Sequence, residues 1–163
     1  MNKATQKVLF SSKTGEWATP QAFYDRLNWR FGPFTLDPAA TADNTKCIKF
    51  YTEEEDGLSQ SWAGHTAFVN PPYGRGIDKW IEKAYNESLN DNTKVVMLVP
   101  ARPDTKYWHK YIMMASEIHF VKGRLKFGDS DNAAPFPSAV VVFEGGWHHV
   151  YENRPKIFSM EKA

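Results

Sequence analysis

Short apolar segments alternate with helical segments through the middle of the chain, and this order constrains the fold more than any other feature. Residues 95–99 read Val-Val-Met-Leu-Val, so a strand there is apolar on both faces. Between the strands predicted at 66–69 and 95–99, apolar residues recur at helical spacing: Ile77, Trp80, Ile81, Ala84 and Tyr85. Buried strands that alternate with helices predict an α/β fold with an open, mostly parallel sheet flanked by helices.

Local signals give approximate bounds for the other elements. Thr19 and Pro20 are typical of an N-cap and a first helical residue, and Gly32-Pro33 ends the helix that they begin. Asp104 is the expected cap of a later helix. Further strands are predicted at 34–36, 47–51, 118–127 and 139–143. We expect a single domain over 1–163, with 1–16 and 152–163 as loose tails, although Ile157 and Phe158 could dock.

Composition excludes several classes of protein. Twenty Lys and Arg against nineteen Asp and Glu leave a net charge of +1, so any attraction to nucleic acid must come from a local patch. The single cysteine, Cys47, rules out an internal disulfide framework and a cysteine-rich zinc site. The five histidines show no metal-ligand spacing, so no metal is expected. With no apolar segment long enough for a signal peptide or membrane span, the sequence predicts a cytosolic protein.

Three polar, turn-rich segments follow predicted strands: residues 37–40, 70–73 and 100–102. In open α/β sheets, ligands bind beyond the carboxyl ends of the strands. The coincidence of the three segments therefore predicts a binding site at one edge of the sheet.

The segment Asn70-Pro71-Pro72-Tyr73 has the most specific chemistry of the three. Two consecutive prolines remove two backbone donors and leave a rigid turn that presents carbonyl oxygens. An exocyclic amine could donate to the Asn70 side-chain oxygen and the Pro71 carbonyl, while its ring stacks on Tyr73. Those two hydrogen bonds would turn the nitrogen lone pair towards an electrophile, and the preoriented dipoles would stabilise the charge that develops.

This turn resembles the catalytic motif of S-adenosylmethionine-dependent amino-methyltransferases. Residues 17–143 resemble, more closely, the small Dam-type DNA N6-adenine methyltransferases of phages and prophages. The resemblance rests on five segments: Glu16-Trp17-Ala18-Thr19-Pro20, residues 34–40 (FTLDPAA), Asp56-Gly57-Leu58 with Trp62, Asn70-Pro71-Pro72-Tyr73-Gly74, and residues 122–127 (KGRLKF). It implies a Rossmann-like class I methyltransferase fold and transfer of a methyl group from S-adenosylmethionine to N6 of adenine in DNA.

The resemblance also implies the roles of individual residues. The turn would be catalytic through Asn70, Pro71, Pro72 and Tyr73. The implied cofactor-binding residues are Trp17, Thr19, Pro20, Asp37, Pro38, Ala39, Asp56 and Asn70. A carboxylate at Asp37 would hold the ammonium group of the cofactor. The Gly-x-Gly that follows this position in many methyltransferases is absent, because residues 39–44 read Ala-Ala-Thr-Ala-Asp-Asn.

An adenine inside a duplex is unreachable, so the enzyme would flip it out and offset the cost with contacts to phosphates. A strand over 118–127 would place three cations on one face. The candidate DNA contacts are Arg75, Lys79, Arg102, Lys122, Arg124 and Lys126. Because the chain has little room for a separate recognition domain, double-stranded DNA would be read at a short site by loops 74–79 and 128–137.

Two alternatives stay open at this point. The same turn occurs in enzymes that methylate RNA adenine or the amide of a protein glutamine. The missing glycines after Asp37 would also fit a degenerate, non-catalytic module that binds nucleic acid. The sequence predicts neither the recognition site nor the oligomeric state.

Overall fold

The computed structural model describes residues 17–145 and 155–163. These residues form a five-stranded sheet with helices packed against it. The helices are α1 (Gln21–Phe31), α2 (Ile77–Ser88) and α3 (Lys106–Lys110), with single 3₁₀ turns at Gly57–Ser59 and Ile112–Met114. The strands are β1 (Thr66–Val69), β2 (Lys94–Pro100), β3 (Glu117–Val121), β4 (Ser138–Phe143) and β5 (Lys156–Met160).

The sheet is mixed, which confirms the α/β class and corrects the expectation of a mostly parallel sheet. Its strand order is β1-β2-β4-β3-β5. The β1–β2 and β3–β5 pairs are parallel, whereas β4 is antiparallel to both of its neighbours. The reason lies in the connection from β3 to β4, residues 122–137, which contains no helix. A parallel return would need a crossover connection, usually a helix, so β4 runs back beside β3.

The first helix begins one residue later than the sequence predicts. Pro20 is the N-cap of α1 and no side chain caps the helix. Thr19 lies outside the helix, and its hydroxyl has another partner, described below. The predicted apolar face is correct, because Phe23, Leu27 and Phe31 are all buried.

Two predicted strands are reduced to single bridges. Leu36 pairs with Ala67 and Asp37 pairs with Phe50, both in parallel, where strands over 34–36 and 47–51 were expected. Pro38 has no N–H to donate, so the ladder cannot continue past Asp37 on that side. The α3 helix is also short, and its N-cap is Thr105 instead of Asp104.

The expected strand over 118–127 ends early, at Val121. Gly123 has a φ of +78°, a left-handed conformation that breaks the extended run. Leu125 and Phe127 are still buried beyond the break. Lys122, Arg124 and Lys126 are exposed, but they do not form a row on one strand as predicted.

The expectation of a loose tail over 152–163 is wrong for residues 156–160. These form β5, which pairs in parallel with β3 so that Ile118 lies opposite Ile157 and Val121 opposite Met160. Pairing satisfies the backbone groups of β3 that would otherwise lie at a sheet edge. Residues 1–16 and 152–154 lie outside the described residues, and the single domain over 1–163 stays a prediction.

The topology places several chain segments at one edge of the sheet, called here the site edge. Strands β1, β2, β3 and β5 run in the same direction, so their carboxyl ends all lie at this edge, where β4 begins. The central strands β2 and β4 are buried almost throughout. Within residues 17–145 and 155–163, no helix is long and apolar enough to cross a membrane.

Candidate active site

Asn70 follows β1 directly, and two hydrogen bonds fix the orientation of its side-chain amide. Its Nδ2 donates to the carbonyl oxygen of Trp17 at 2.7 Å and to Oγ1 of Thr19 at 3.0 Å. Since both partners accept, the nitrogen must face them and Oδ1 must face away. Oδ1 is buried and has no hydrogen-bond partner. A buried acceptor left without a donor costs free energy, so this atom is suited to receiving a donor from a ligand.

Pro71 and Pro72 continue the chain from Asn70 without contributing an N–H. Pro71 is buried and Pro72 is half-buried, and both line the same cleft as Asn70. The turn therefore combines a free amide oxygen with backbone carbonyls and contains no competing donor at the two proline positions.

Tyr73 is almost fully enclosed. Its hydroxyl donates to the carbonyl oxygen of Leu98 at 3.2 Å, and burial raises the pKa of the phenol. The ring is 3% exposed and lies against Trp17, Phe127 and Phe136, with ring centroids 6.0, 6.1 and 5.5 Å away. A base can stack on Tyr73 only after one of these rings moves.

The first cleft lies between the Trp17–Thr19 segment, Asp37 and the Asn-Pro-Pro turn. Its lining consists of Trp17, Ala18, Thr19, Asp37, Ala39, Asn44, Lys46, Phe68, Asn70, Pro71 and Pro72. Asp37 is 4% exposed and accepts a hydrogen bond from the backbone N–H of Lys46 at 3.1 Å. Burial raises the pKa of Asp37 to about 6, against the lowering effect of that hydrogen bond. The cleft thus contains a buried carboxylate that gains from a cationic ligand.

A second cleft, of about 240 Å³, adjoins the first. It is lined by Pro38, Ala39, Ala40, Thr41, Asn44, Thr52, Glu53, Asp56, Gly57, Pro72 and Trp80. Ala39, Asn44 and Pro72 line both clefts, so the two are neighbouring compartments at the site edge. The first compartment contains an acidic and a basic residue, Asp37 and Lys46, whereas the charged residues that line the second, Glu53 and Asp56, are both acidic.

Close packing holds the Asp56 segment against the second cleft. Asp56 has a φ of 53° and its side chain accepts a hydrogen bond from Leu58 N at 3.2 Å, which starts the 3₁₀ turn. A Cβ on Gly57 would lie 2.0 Å from the carbonyl oxygen of Pro38, so only glycine fits there. The indole of Trp62 donates to the carbonyl oxygen of Gly57 at 2.9 Å. Asp56 therefore lines the second cleft next to a glycine that packs against Pro38.

Most of the sequence-predicted cofactor residues come together in these clefts. Trp17, Thr19, Asp37, Ala39 and Asn70 line the first cleft, and Pro38, Ala39 and Asp56 line the second. Pro20 lines neither; it lies at the start of α1.

Sequence reasoning missed Asn44, Lys46 and Trp80 as cleft residues. Asn44 and Lys46 lie where a glycine-rich loop was sought, and no local pattern distinguishes them from solvated polar residues. Trp80 belongs to the apolar stripe of α2, so it was assigned to the core; it is half-buried and stacks on Trp62 with centroids 6.2 Å apart.

The six basic candidates for nucleic-acid binding all follow strands that end at the site edge. Arg75 and Lys79 come after β1, Arg102 after β2, and the other three after β3. All six are exposed. Lys122 lies 3.8 Å from Glu161, which partly offsets its charge.

Backbone hydrogen bonds join both ends of loop 128–137 to neighbouring segments of the site edge. Gly128 N donates to the carbonyl oxygen of Ala18 at 2.8 Å, and Ala101 N donates to that of Pro137 at 2.9 Å. Arg124 Nη1 donates to the carbonyl oxygen of Ala134 at 3.3 Å. Arg124 therefore supports this loop as well as presenting a charge.

No group of three or more His, Cys, Asp or Glu residues that could hold a metal ion occurs in the described ranges, 17–145 and 155–163.

The mixed sheet, the two adjoining clefts and the Asn-Pro-Pro-Tyr turn are together consistent with a methyltransferase-like class of protein. The chain belongs to the DNA N-6-adenine-methyltransferase (Dam) family, whose model matches residues 6–152. This membership places it among the adenine-specific DNA methyltransferases and confirms the resemblance inferred from the sequence.

Individual relatives agree with the family. A DNA N-6-adenine-methyltransferase of Escherichia phage T1 is 34% identical over 110 residues, which cover 67% of this chain and 45% of that protein. One of Haemophilus phage HP1 (strain HP1c1) is 30% identical over 135 residues, 78% of each chain. The putative methyltransferase YfdM of Escherichia coli (strain K12) is 39% identical over 64 residues, 36% of this chain and 70% of that protein. The chain thus spans under half of the phage T1 protein and most of the phage HP1 protein.

Proposed function

We propose that the protein transfers a methyl group from S-adenosylmethionine to N6 of adenine in double-stranded DNA, at a short recognition site. The observation that carries the proposal is Oδ1 of Asn70, a residue that lines the first cleft: this oxygen is buried and has no hydrogen-bond donor. An exocyclic amine is the kind of group that supplies such a donor and can then react. The family gives the reaction, and the structure supports the assignment of residues to it.

The two clefts fit the two ends of S-adenosylmethionine. The buried Asp37 carboxylate suits the α-ammonium group of the methionine end. The second cleft, with Trp80 on one side and Asp56 at its border, suits the adenosine end. When bound, S-adenosylmethionine supplies an electrophilic methyl group. The absence of a glycine-rich loop after Asp37 is offset by Gly57, whose lack of a side chain lets residues 56–58 approach Pro38.

Asn70 and Pro71 would orient the target amine. The two N–H groups of the adenine amine donate to Asn70 Oδ1 and to the carbonyl oxygen of Pro71. The nitrogen lone pair then leaves conjugation with the ring and points towards the methyl group. Positive charge would develop on nitrogen as its bond to the methyl carbon forms and the sulfur–methyl bond breaks, and the two oxygen dipoles would stabilise that charge. The nitrogen would then lose a proton to solvent, and the neutral thioether would leave. No strong base is needed before the attack.

Access of the base requires a rearrangement around Tyr73. The adenine would be flipped out of the duplex and would stack on the Tyr73 ring. Because Trp17 covers that ring, the Trp17–Thr19 segment would shift when the base enters. The unstacking cost is offset by phosphate contacts from the basic residues at the site edge. DNA and S-adenosylmethionine are the partners of the reaction, and a DNA-modifying enzyme of this kind would work in the cytoplasm.

Acceptor competition tests the proposal. Purified protein is incubated with radiolabelled S-adenosylmethionine and equal amounts of duplex DNA, RNA of the same sequence, and a glutamine-containing peptide. The proposal predicts label in the DNA. Label in RNA or peptide would reassign the acceptor, and cofactor binding without transfer to any acceptor would indicate a non-catalytic module.

A further inference from the structure

One acidic and one basic residue line the first cleft. Asp37 is buried and Lys46 is half-buried, and both line the cleft. Sequence reasoning assigned a role to Asp37 and none to Lys46. The zwitterionic end of an α-amino acid carries the same two charges in the same molecule, one ammonium and one carboxylate.

A hydrogen bond to Asp37 fixes the backbone of Lys46. Its N–H donates to Asp37 Oδ2 at 3.1 Å, so the position of Lys46 follows that of the carboxylate. The stem passes Tyr24, with Nζ 5.9 Å from the ring centroid. Nζ donates to the neutral side-chain oxygen of Gln21 at 2.8 Å.

Among the residues that the structure describes, none places a carboxylate in contact with Lys46 Nζ. In the described part of the chain, no ion pair within 4.0 Å joins Nζ to an acidic side chain. Partial burial lowers the pKa of Lys46, against the opposing effects of Asp37 and Asp25. A half-buried ammonium whose partner is a neutral amide gains from an anionic ligand, and Nζ would exchange Gln21 for such a ligand in the cleft that Lys46 lines.

We propose that Lys46 binds the carboxylate of the methionine end of S-adenosylmethionine while Asp37 binds the ammonium group. The assignment rests on the proposed function. It makes the Asp37–Lys46 pair a recognition element for the α-amino acid end, built on the loop that replaces the glycine-rich segment. Lys46 acts in binding and does not contact the transferred methyl group.

Calorimetric titration of the wild type and three variants with two ligands tests this role without relying on activity. S-Adenosylhomocysteine carries the amino acid end, whereas 5′-methylthioadenosine lacks both of its charges. For Lys46→Met, which keeps most of the stem, the affinity for S-adenosylhomocysteine should fall roughly ten- to a hundredfold, as for loss of a hydrogen bond to a charged group. The affinity for 5′-methylthioadenosine should not change. Lys49→Met is the matched control, because Lys49 is exposed and lines neither cleft.

Three other results would each contradict the proposed contact between Lys46 and the carboxylate. Unchanged binding of S-adenosylhomocysteine by Lys46→Met would show that no such contact exists. An equal loss for both ligands would show that Lys46 only shapes the cleft. Lys46→Arg keeps the charge and should retain much of the affinity, which separates a folding defect from a lost contact. If the wild-type protein binds neither ligand, the proposed cofactor fails and Lys46 loses its role with it.

Discussion

The side-chain amide of Asn70 donates a hydrogen bond to the backbone carbonyl of Trp17 at 2.7 Å, and this contact joins the Asn-Pro-Pro-Tyr turn to the segment that precedes α1. The contact uses the amide nitrogen, so the oxygen is left buried and unpartnered. The same residue thus holds that segment and presents the acceptor that the proposed reaction needs.

Asn70→Ala should abolish most turnover while changing cofactor affinity little. The substitution removes the acceptor that orients the target amine, and loss of one preorganised dipole typically lowers kcat about a hundred- to a thousandfold. Parallel measurement of turnover and S-adenosylhomocysteine binding checks this. Asn90→Ala, at an exposed site after α2, is the control. An equal loss of turnover and affinity would remove Asn70 from the role assigned to it.

Thr19→Val should lower kcat by up to about tenfold, because it removes one of the two acceptors that orient the Asn70 amide. Thr19 is 5% exposed, so the isosteric valine fits the space that the threonine leaves. Thr19→Ser keeps the hydroxyl and should restore the wild-type rate. Steady-state kinetics of the three proteins decide the matter: if serine and valine behave alike, the hydroxyl does not orient Asn70.

Protonation of Asp37 should stabilise the fold. Its pKa in the folded protein is about 6 and its ordinary value is 3.8. Because the folded value is the higher one, the stabilising effect is complete below the unfolded pKa and is lost as the pH rises through the folded pKa. The shift corresponds to about 3 kcal/mol of unfolding free energy, an order-of-magnitude figure.

Asp37→Asn should therefore be more stable than the wild type at neutral pH, by about 1–3 kcal/mol, with the gain fading towards about pH 4. Urea unfolding at several pH values measures this. The same variant should bind S-adenosylhomocysteine more weakly, because it lacks the charge for the ammonium group. A variant no more stable than the wild type at neutral pH would show that the buried charge carries no such cost.

Replacing Lys122, Arg124 and Lys126 together by alanine should weaken DNA binding and flatten its salt dependence. Each lost phosphate contact reduces the slope of log K against log salt by about 0.9. We expect a change of about 2, since Glu161 already offsets Lys122. Lys156→Ala is the control because Lys156 begins β5 at the opposite edge of the sheet. An unchanged slope would remove the three residues from the DNA contact.

The sequence predicted those parts of the site that depend on local chemistry. The sequence predicted polar site residues directly after the apolar segments 34–36 and 66–69. Asp37, which forms the bridge with Phe50, and Asn70-Pro71-Pro72-Tyr73, which follows β1, lie at these positions. The two prolines and the carboxylate are recognisable because their properties do not depend on distant contacts.

The features that the sequence did not predict depend on contacts between distant segments. Strand β5 contains two exposed apolar residues, Ile157 and Phe158, and its conformation comes from pairing with β3. Lys46 becomes a cleft residue only because its backbone bonds to Asp37. Thr19 is an ordinary helix-start residue by sequence, yet its hydroxyl accepts from Asn70, whose position the fold determines.

The most direct test of the central claim is the identity of the methylated base. Duplex DNA without prior methylation is incubated with the protein and labelled S-adenosylmethionine, then digested to nucleosides and separated by chromatography. The account predicts that the label appears in N6-methyldeoxyadenosine with the wild type and falls at least about a hundredfold with Asn70→Ala. Label in a methylated deoxycytidine, or equal label with both proteins, would contradict it.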